Sequence, residues 1–220
     1  MKQVSLIGTV HEETGLANVS ELLTILERIR PEVIFLEIPS AAFADYVAGI
    51  RSNVESTAAT RFGEKHHVVL VPVDLPTPEG DFFRDNEFLF AQIQRRSPDY
   101  CRLIDWHSQR RRAEGFAYLN SERCSELWSA AHEAILAAIE ELGDDRLIQL
   151  YALWRNTNAL RDKAMIRNIE DYCAQSVFES GVFLVGEAHR PSIIAKLRDS
   201  RGVGSSAIKW DFSGFLHRSK

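Results

Sequence analysis

Gly181 to Leu197 reads GVFLVGEAHRPSIIAKL. The apolar run Val182 to Val185 stops at Gly186, and His189 follows just before Pro191, Ile193, Ile194 and Leu197, a helical pattern with proline near its first turn. This grammar predicts a buried strand, a tight turn and a helix. In an open α/β sheet such turns lie at the carboxyl edges of strands, where ligands bind. His189 is expected to face the positive end of the following helix, a field that disfavours the imidazolium and suits a general base or a metal ligand.

The N-terminus repeats the pattern, with Val4 to Ile7, then Gly8, then His11. With 12 Gly and 7 His in the chain, about 0.4 Gly-x-x-His matches are expected by chance. Four occur. Gly63 to His66 and Gly214 to His217 do not follow an unbroken apolar run, whereas Gly8 and Gly186 do, so His11 and His189 stand out. If their strands run parallel, the two rings converge from distant parts of the chain; otherwise each His only caps a turn.

Between these ends the pattern alternates. Gln3 to Ile7 reads as a first strand, and Asn18 with Glu21 resembles a capping box for a helix that Pro31 stops. Val33 to Ile38 is a second strand with Glu37 near its end. A helix from Ala41 to about Thr60 and a third strand, Val68 to Val73, ending at Asp74, follow. From about Phe82 to Phe178 the signal is helical, so this block is expected to be a helical insertion able to act as a lid. A last strand is expected at Ala207 to Phe212. The fold class is therefore α/β, a mainly parallel or mixed central sheet with flanking helices, in one domain of 220 residues.

Composition narrows the partners. A net charge of -5 gives no reason to expect nucleic acid or an anionic membrane. Cys101, Cys124 and Cys173 cannot all pair and none is spaced C-x-x-C, which suits a reducing compartment. The apolar runs fall short of the ~18 residues of a membrane span, and Glu12 and Glu13 interrupt any signal-like start. The expectation is a cytoplasmic protein acting on a peptide or small molecule.

A carboxylate inside Ile34-Phe35-Leu36-Glu37-Ile38 is too costly to leave unpaired, so Glu37 needs a metal, an arginine or several donors. Arg161 is the candidate cation: on a helix it shares a face with Met165, Ile169 and Tyr172. Structural ion pairing and a snorkelling Arg161 are the plainer alternatives. Arg110-Arg111-Arg112 reads as a solvated helix face, and His132-Glu133 has no second His at a zinc-protease spacing.

Four motifs, Gly8-Thr9-Val10-His11, Arg30-Pro31-Glu32-Val33 leading into Leu36-Glu37, Arg161-Asp162 with Met165, and Gly186-Glu187-Ala188-His189, resemble the TraB/PrgY/GumN/TIKI family. The resemblance implies a metal-dependent, peptidase-like hydrolase. The ions it implies are Mn or Co. Two imidazoles and a carboxylate themselves suit Mn, Co, Zn or Fe, so His11, His189 and Glu37 are expected to hold the ion, with bound water as nucleophile and Arg161 stabilising the oxyanion or a substrate carboxylate. Gly8, Gly186, Asp74 and Glu187 complete the expected site. Two positions depart from the family pattern. Asp74 is followed by Leu75 rather than Arg, with Arg84 as a possible replacement, and Glu187 stands where a small residue is usual. Related folds include erythromycin-esterase-like hydrolases and ChaN-like haem binders. The alternatives are a metal-independent esterase-like enzyme with a His as base, and a module that binds a peptide or small ligand without turnover.

Overall fold

The protein is described by a computed structural model covering residues 1–78, 80–200 and 208–213. Its elements run β1 (Lys2–Thr9), α1 (Val19–Ile29), β2 (Val33–Pro39), a 3-10 turn (Ser40–Ala42), α2 (Phe43–Val47), α3 (Val54–Gly63), β3 (Val69–Asp74) and α4 (Gly80–Arg96). Then come α5 (Pro98–Leu119), α6 (Glu122–Leu142), α7 (Asp145–Gln175), β4 (Ser180–Gly186), α8 (Arg190–Ser200) and β5 (Ile208–Asp211). Ala207, Gly214 and His217 lie outside the described residues.

The strands form one sheet in the order β3-β2-β4-β1-β5, and every pairing is parallel. Alternating side chains feed two cores. Ile34, Leu36 and Ile38 of β2, with Val182 and Leu184 of β4, pack toward α1 and α3, while Val33, Phe35, Phe183 and Val185 pack toward α7 and α8. Each such side chain contributes roughly 1.5–3 kcal/mol by leaving water. Both faces are covered, which explains why these strands are nearly continuous apolar runs.

The expected helical block is present as α4 to α7, with a core of its own built on Leu89, Ile93, Ala131, Ile135 and Tyr151. No helix among the described residues is long and apolar enough to cross a membrane. The expected helix from Ala41 to about Thr60 is instead broken. α2 ends by Ala48, Gly49 takes φ +72°, and α3 restarts behind Asn53, whose side chain accepts from the Ser56 N–H while the Ser56 hydroxyl accepts from the Asn53 N–H. At α1 only half of the capping box forms. Asn18 accepts from the Glu21 N–H, and the Glu13 carboxylate, not Glu21, takes a further free donor, the N–H of Val19.

Candidate active site

Parallel pairing brings Thr9 level with Gly186 and Pro39 level with Asp74, so β1 to β4 deliver their carboxyl ends to one edge. The β2–β3 register shifts between Leu36 and Pro39, which takes Glu37 out of the regular ladder. Its side chain is only 4% exposed. Glu37 Oε2 accepts the Gly186 N–H at 2.6 Å, and Oε1 lies 2.5 Å from Arg161 Nη2 and 3.4 Å from His189 Nε2.

Arg161 joins two strand ends. Its Nη2 also donates to Asp74 Oδ2 at 2.7 Å, its Nε lies 3.2 and 3.3 Å from the two Asp74 oxygens, and its Nη1 lies 3.3 Å from His189 Nε2. The cation beside Asp74 is therefore Arg161, whereas Arg84 pairs with the exposed Asp81. Burial raises the pKa of Glu37, but His189, Arg161 and His11 outweigh it and hold the carboxyl below the usual range. For Arg161, desolvation is likewise overcome by Asp74 and Glu37, so the guanidinium keeps its charge.

His189 Nδ1 donates to Asp162 Oδ1 at 2.6 Å, and Lys196 Nζ reaches Asp162 Oδ2 at 3.0 Å. Asp162 is 2% exposed and sits on the same stripe of α7 as Met165, Ile169 and Cys173. Desolvation alone would lower the His189 pKa, but Glu37 and Asp162 raise it above the ordinary value. Against the expectation that a helix terminus keeps this ring neutral, the two adjacent carboxylates favour its protonated form.

His11 is held in the same manner. Its Nδ1 lies 3.1 Å from Glu55 Oε1, which also accepts from the Thr9 hydroxyl at 2.6 Å. The hydrogen bond to Glu55 raises the His11 pKa to about 9 against the lowering effect of burial. A kink in α5 supports its loop: Gly115 takes φ +56° and ψ -138°, and the Arg112 carbonyl accepts the Leu16 N–H at 3.0 Å. A Cβ on Gly115 would stand 2.6 Å from the Leu16 carbonyl oxygen, so no larger residue fits.

Gly186 lies between the two imidazoles. A Cβ there would be 3.2 Å from Glu37 Oε2 and 3.8 Å from both His11 Nε2 and His189 Cδ2. Gly8 is fixed by Asn120, which accepts its N–H at 2.7 Å and donates to its carbonyl at 3.0 Å. Glu187, 7% exposed, pairs with His107 at 3.2 Å and accepts from the Trp128 indole N–H. Sequence reasoning missed Asp162 and Glu55 as partners of the histidines. The available signal was a carboxylate on an apolar helical stripe, since Glu55 likewise aligns with Ala58, Ala59 and Phe62.

Two imidazoles and a carboxylate are the right donor types for the ion implied by the family resemblance. The guanidinium of Arg161, however, stands within 3.3 Å of His189 Nε2 and 2.5 Å of Glu37 Oε1, where a shared ion would need open coordination. Among the described residues no group of three or more His, Cys, Asp or Glu side chains is arranged to hold a metal ion. As placed, the residues do not fit one.

Fold and site define an α/β protein with an imidazole, carboxylate and guanidinium cluster at the carboxyl edge of a parallel sheet. No family model and no curated protein matches the chain. A solved structure of a mutant erythromycin esterase EreC, in its open conformation, is similar over 83% of this chain with 13% identity and a TM-score of 0.35. The chain spans 60% of the length of that structure. A likeness of this size carries no argument about activity.

Proposed function

We propose that the protein is a hydrolase of carboxylic esters or amides in which water is the nucleophile and His189 the general base. The observation that carries this reading is the pair of imidazoles fixed at Nδ1 by buried carboxylates, His189 by Asp162 at 2.6 Å and His11 by Glu55 at 3.1 Å, on either side of Gly186. With Nδ1–H committed to Asp162, neutral His189 presents a lone pair at Nε2, which opens to water as Arg161 Nη1, 3.3 Å away, turns from it. It takes a proton from water as the water oxygen bonds to the acyl carbon. The resulting imidazolium is stabilised by Glu37 and Asp162, the groups that raise its pKa.

His11, with its pKa near 9, carries its proton at neutral pH. Its Nε2–H stabilises the oxyanion of the tetrahedral intermediate. When that intermediate collapses, the bond between acyl carbon and leaving group breaks, and His189 returns its proton to the departing oxygen or nitrogen. Arg161 fixes Glu37 and Asp74.

A second, metal-dependent reading takes the carboxylates behind both Nδ1 atoms as the support of metal-bound histidines, and it requires Arg161 to leave Glu37 Oε1 and His189 Nε2. Chelation separates the two. Turnover of an ester and peptide library by purified protein should survive exhaustive EDTA dialysis and be lost in His189→Gln. Loss of turnover on chelation, restored by Mn, Co or Zn, overturns the metal-free reading. A folded protein that binds library members without turnover would be the binding module.

A further inference from the structure

Beside His189 lies a cleft of about 700 Å³ bounded by α6, α7 and the start of α8, a volume within the usual range for a small-molecule site. Its walls include two indoles, Trp128 and Trp154. Both are held in place. The Trp128 N–H donates to Glu187, and Trp154 stacks on Tyr151 with ring centroids 5.9 Å apart and planes at 12°. His132, at the same wall, is bound through Nδ1 to the Tyr151 hydroxyl at 2.7 Å, and burial and Arg155 lower its pKa.

One turn apart along α7, Arg155, Asn158 and Asp162 line the cleft on a single helical face. Asp162 marks the His189 end. Arg155 marks the far end; its guanidinium lies 5.9 Å from the Tyr151 ring centroid and has no ion pair among the described residues. Seven residues of helix separate the two ends, a rise of roughly 10 Å.

We propose that this cleft binds the substrate, an aromatic ester or amide that carries a carboxylate at its end remote from the scissile bond. The aromatic body lies against the Trp128 and Trp154 indoles, the carboxylate pairs with Arg155, and the scissile carbonyl reaches His189. This assignment of substrate class rests on the hydrolytic reading of His189, but binding tests it separately.

Naphthalene-2-carboxylate is the probe, titrated calorimetrically and by tryptophan fluorescence. Wild-type protein should bind it, with affinity falling at least tenfold in Trp154→Ala and in Arg155→Glu, while His11→Gln, outside the cleft lining, stays within threefold of wild type. Arg155 is exposed, so its replacement leaves the fold intact even if Trp154→Ala does not. No binding to wild type, or undiminished binding to Arg155→Glu, overturns the cleft assignment and leaves the hydrolytic reading standing. Loss of ester turnover in His11→Gln with probe binding retained shows that the two roles are separate. Turnover retained in His189→Gln with the same binding pattern sinks the catalytic reading and leaves an aryl-carboxylate site.

Discussion

Arg161 Nη2 stands 2.5 Å from Glu37 Oε1, and the same nitrogen is 2.7 Å from Asp74 Oδ2, so one side chain from α7 ties together the ends of β2 and β3. Both carboxylates are at least 95% buried, with side-chain exposures of 4% and 5%. Replacing the cation strands two buried charges. Arg161→Ala should cost about 3–5 kcal/mol, read as a fall in the denaturant midpoint, and Arg161→Lys should recover only part of it because the planar fork is lost. An unaltered midpoint in the alanine variant would mean that the pairing contributes nothing.

Asp162→Asn tests orientation without changing size. The amide cannot hold His189 as an Nδ1–H donor with the same charge, so kcat should fall roughly 10²–10⁴-fold with KM little changed. Asp162 also accepts from Lys196 at 3.0 Å, so a Lys196→Met control separates loss of that pair from loss of the histidine tautomer. Equal kinetic losses in both variants would remove the special role of Asp162.

The pH profile of kcat/KM should be bell-shaped. Activity rises as His189 loses its proton, on a limb shifted above the ordinary histidine value, and falls as His11 loses its own near pH 9. In His11→Gln the falling limb should disappear. A falling limb that persists unchanged would assign it to another group.

Stability carries the same signature with a defined sign. The folded pKa of His11 is raised from 6.5 to about 9, so its pair with Glu55 stabilises fully below 6.5 and loses that contribution as pH rises through about 9. The stability gap between wild type and His11→Gln should therefore shrink from about pH 6 to about pH 10. The ring is 57% exposed and Glu55 only 3%, so water screens the pair and keeps the gap small. A gap constant across that range would rule out the raised pKa.

Gly186→Ala probes the crowded centre. The new methyl would lie 3.2 Å from Glu37 Oε2, an oxygen held by the Gly186 N–H itself at 2.6 Å. Turnover should fall at least tenfold while stability drops by about 1 kcal/mol, because the carboxylate shifts but the strand remains. Wild-type turnover in this variant would show that the position of Glu37 is not critical.

The strand ends were legible because each apolar run is broken at or near its end by a glycine or a carboxylate: Gly8, Glu37, Asp74 and Gly186. Parallel pairing then required these ends to meet, as they do. The gathering of His11, His189, Glu37 and Arg161 follows from that geometry. The carboxylates behind the rings were not read out, since Glu55 and Asp162 sit on helices where most acids face water. Only the neighbouring Ala58, Ala59 and Phe62, or Met165 and Ile169, show that these stripes point inward. The break between α2 and α3 was hidden as well, because Gly49 and Asn53 act through backbone conformation and capping, which a hydrophobic pattern does not record.

The strand order has a consequence for how the chain is assembled. β4, residues Ser180–Gly186, lies between β1 and β2, so the ribosome delivers the middle of the sheet after the two strands it must separate. Until then β2 can zip only to β3, and β1 has neither of its neighbours. Closure joins segments more than a hundred residues apart, a slow step with exposed strand edges. A chain stopped short of β4 therefore leaves bare the edges of β1 and β2 that β4 covers.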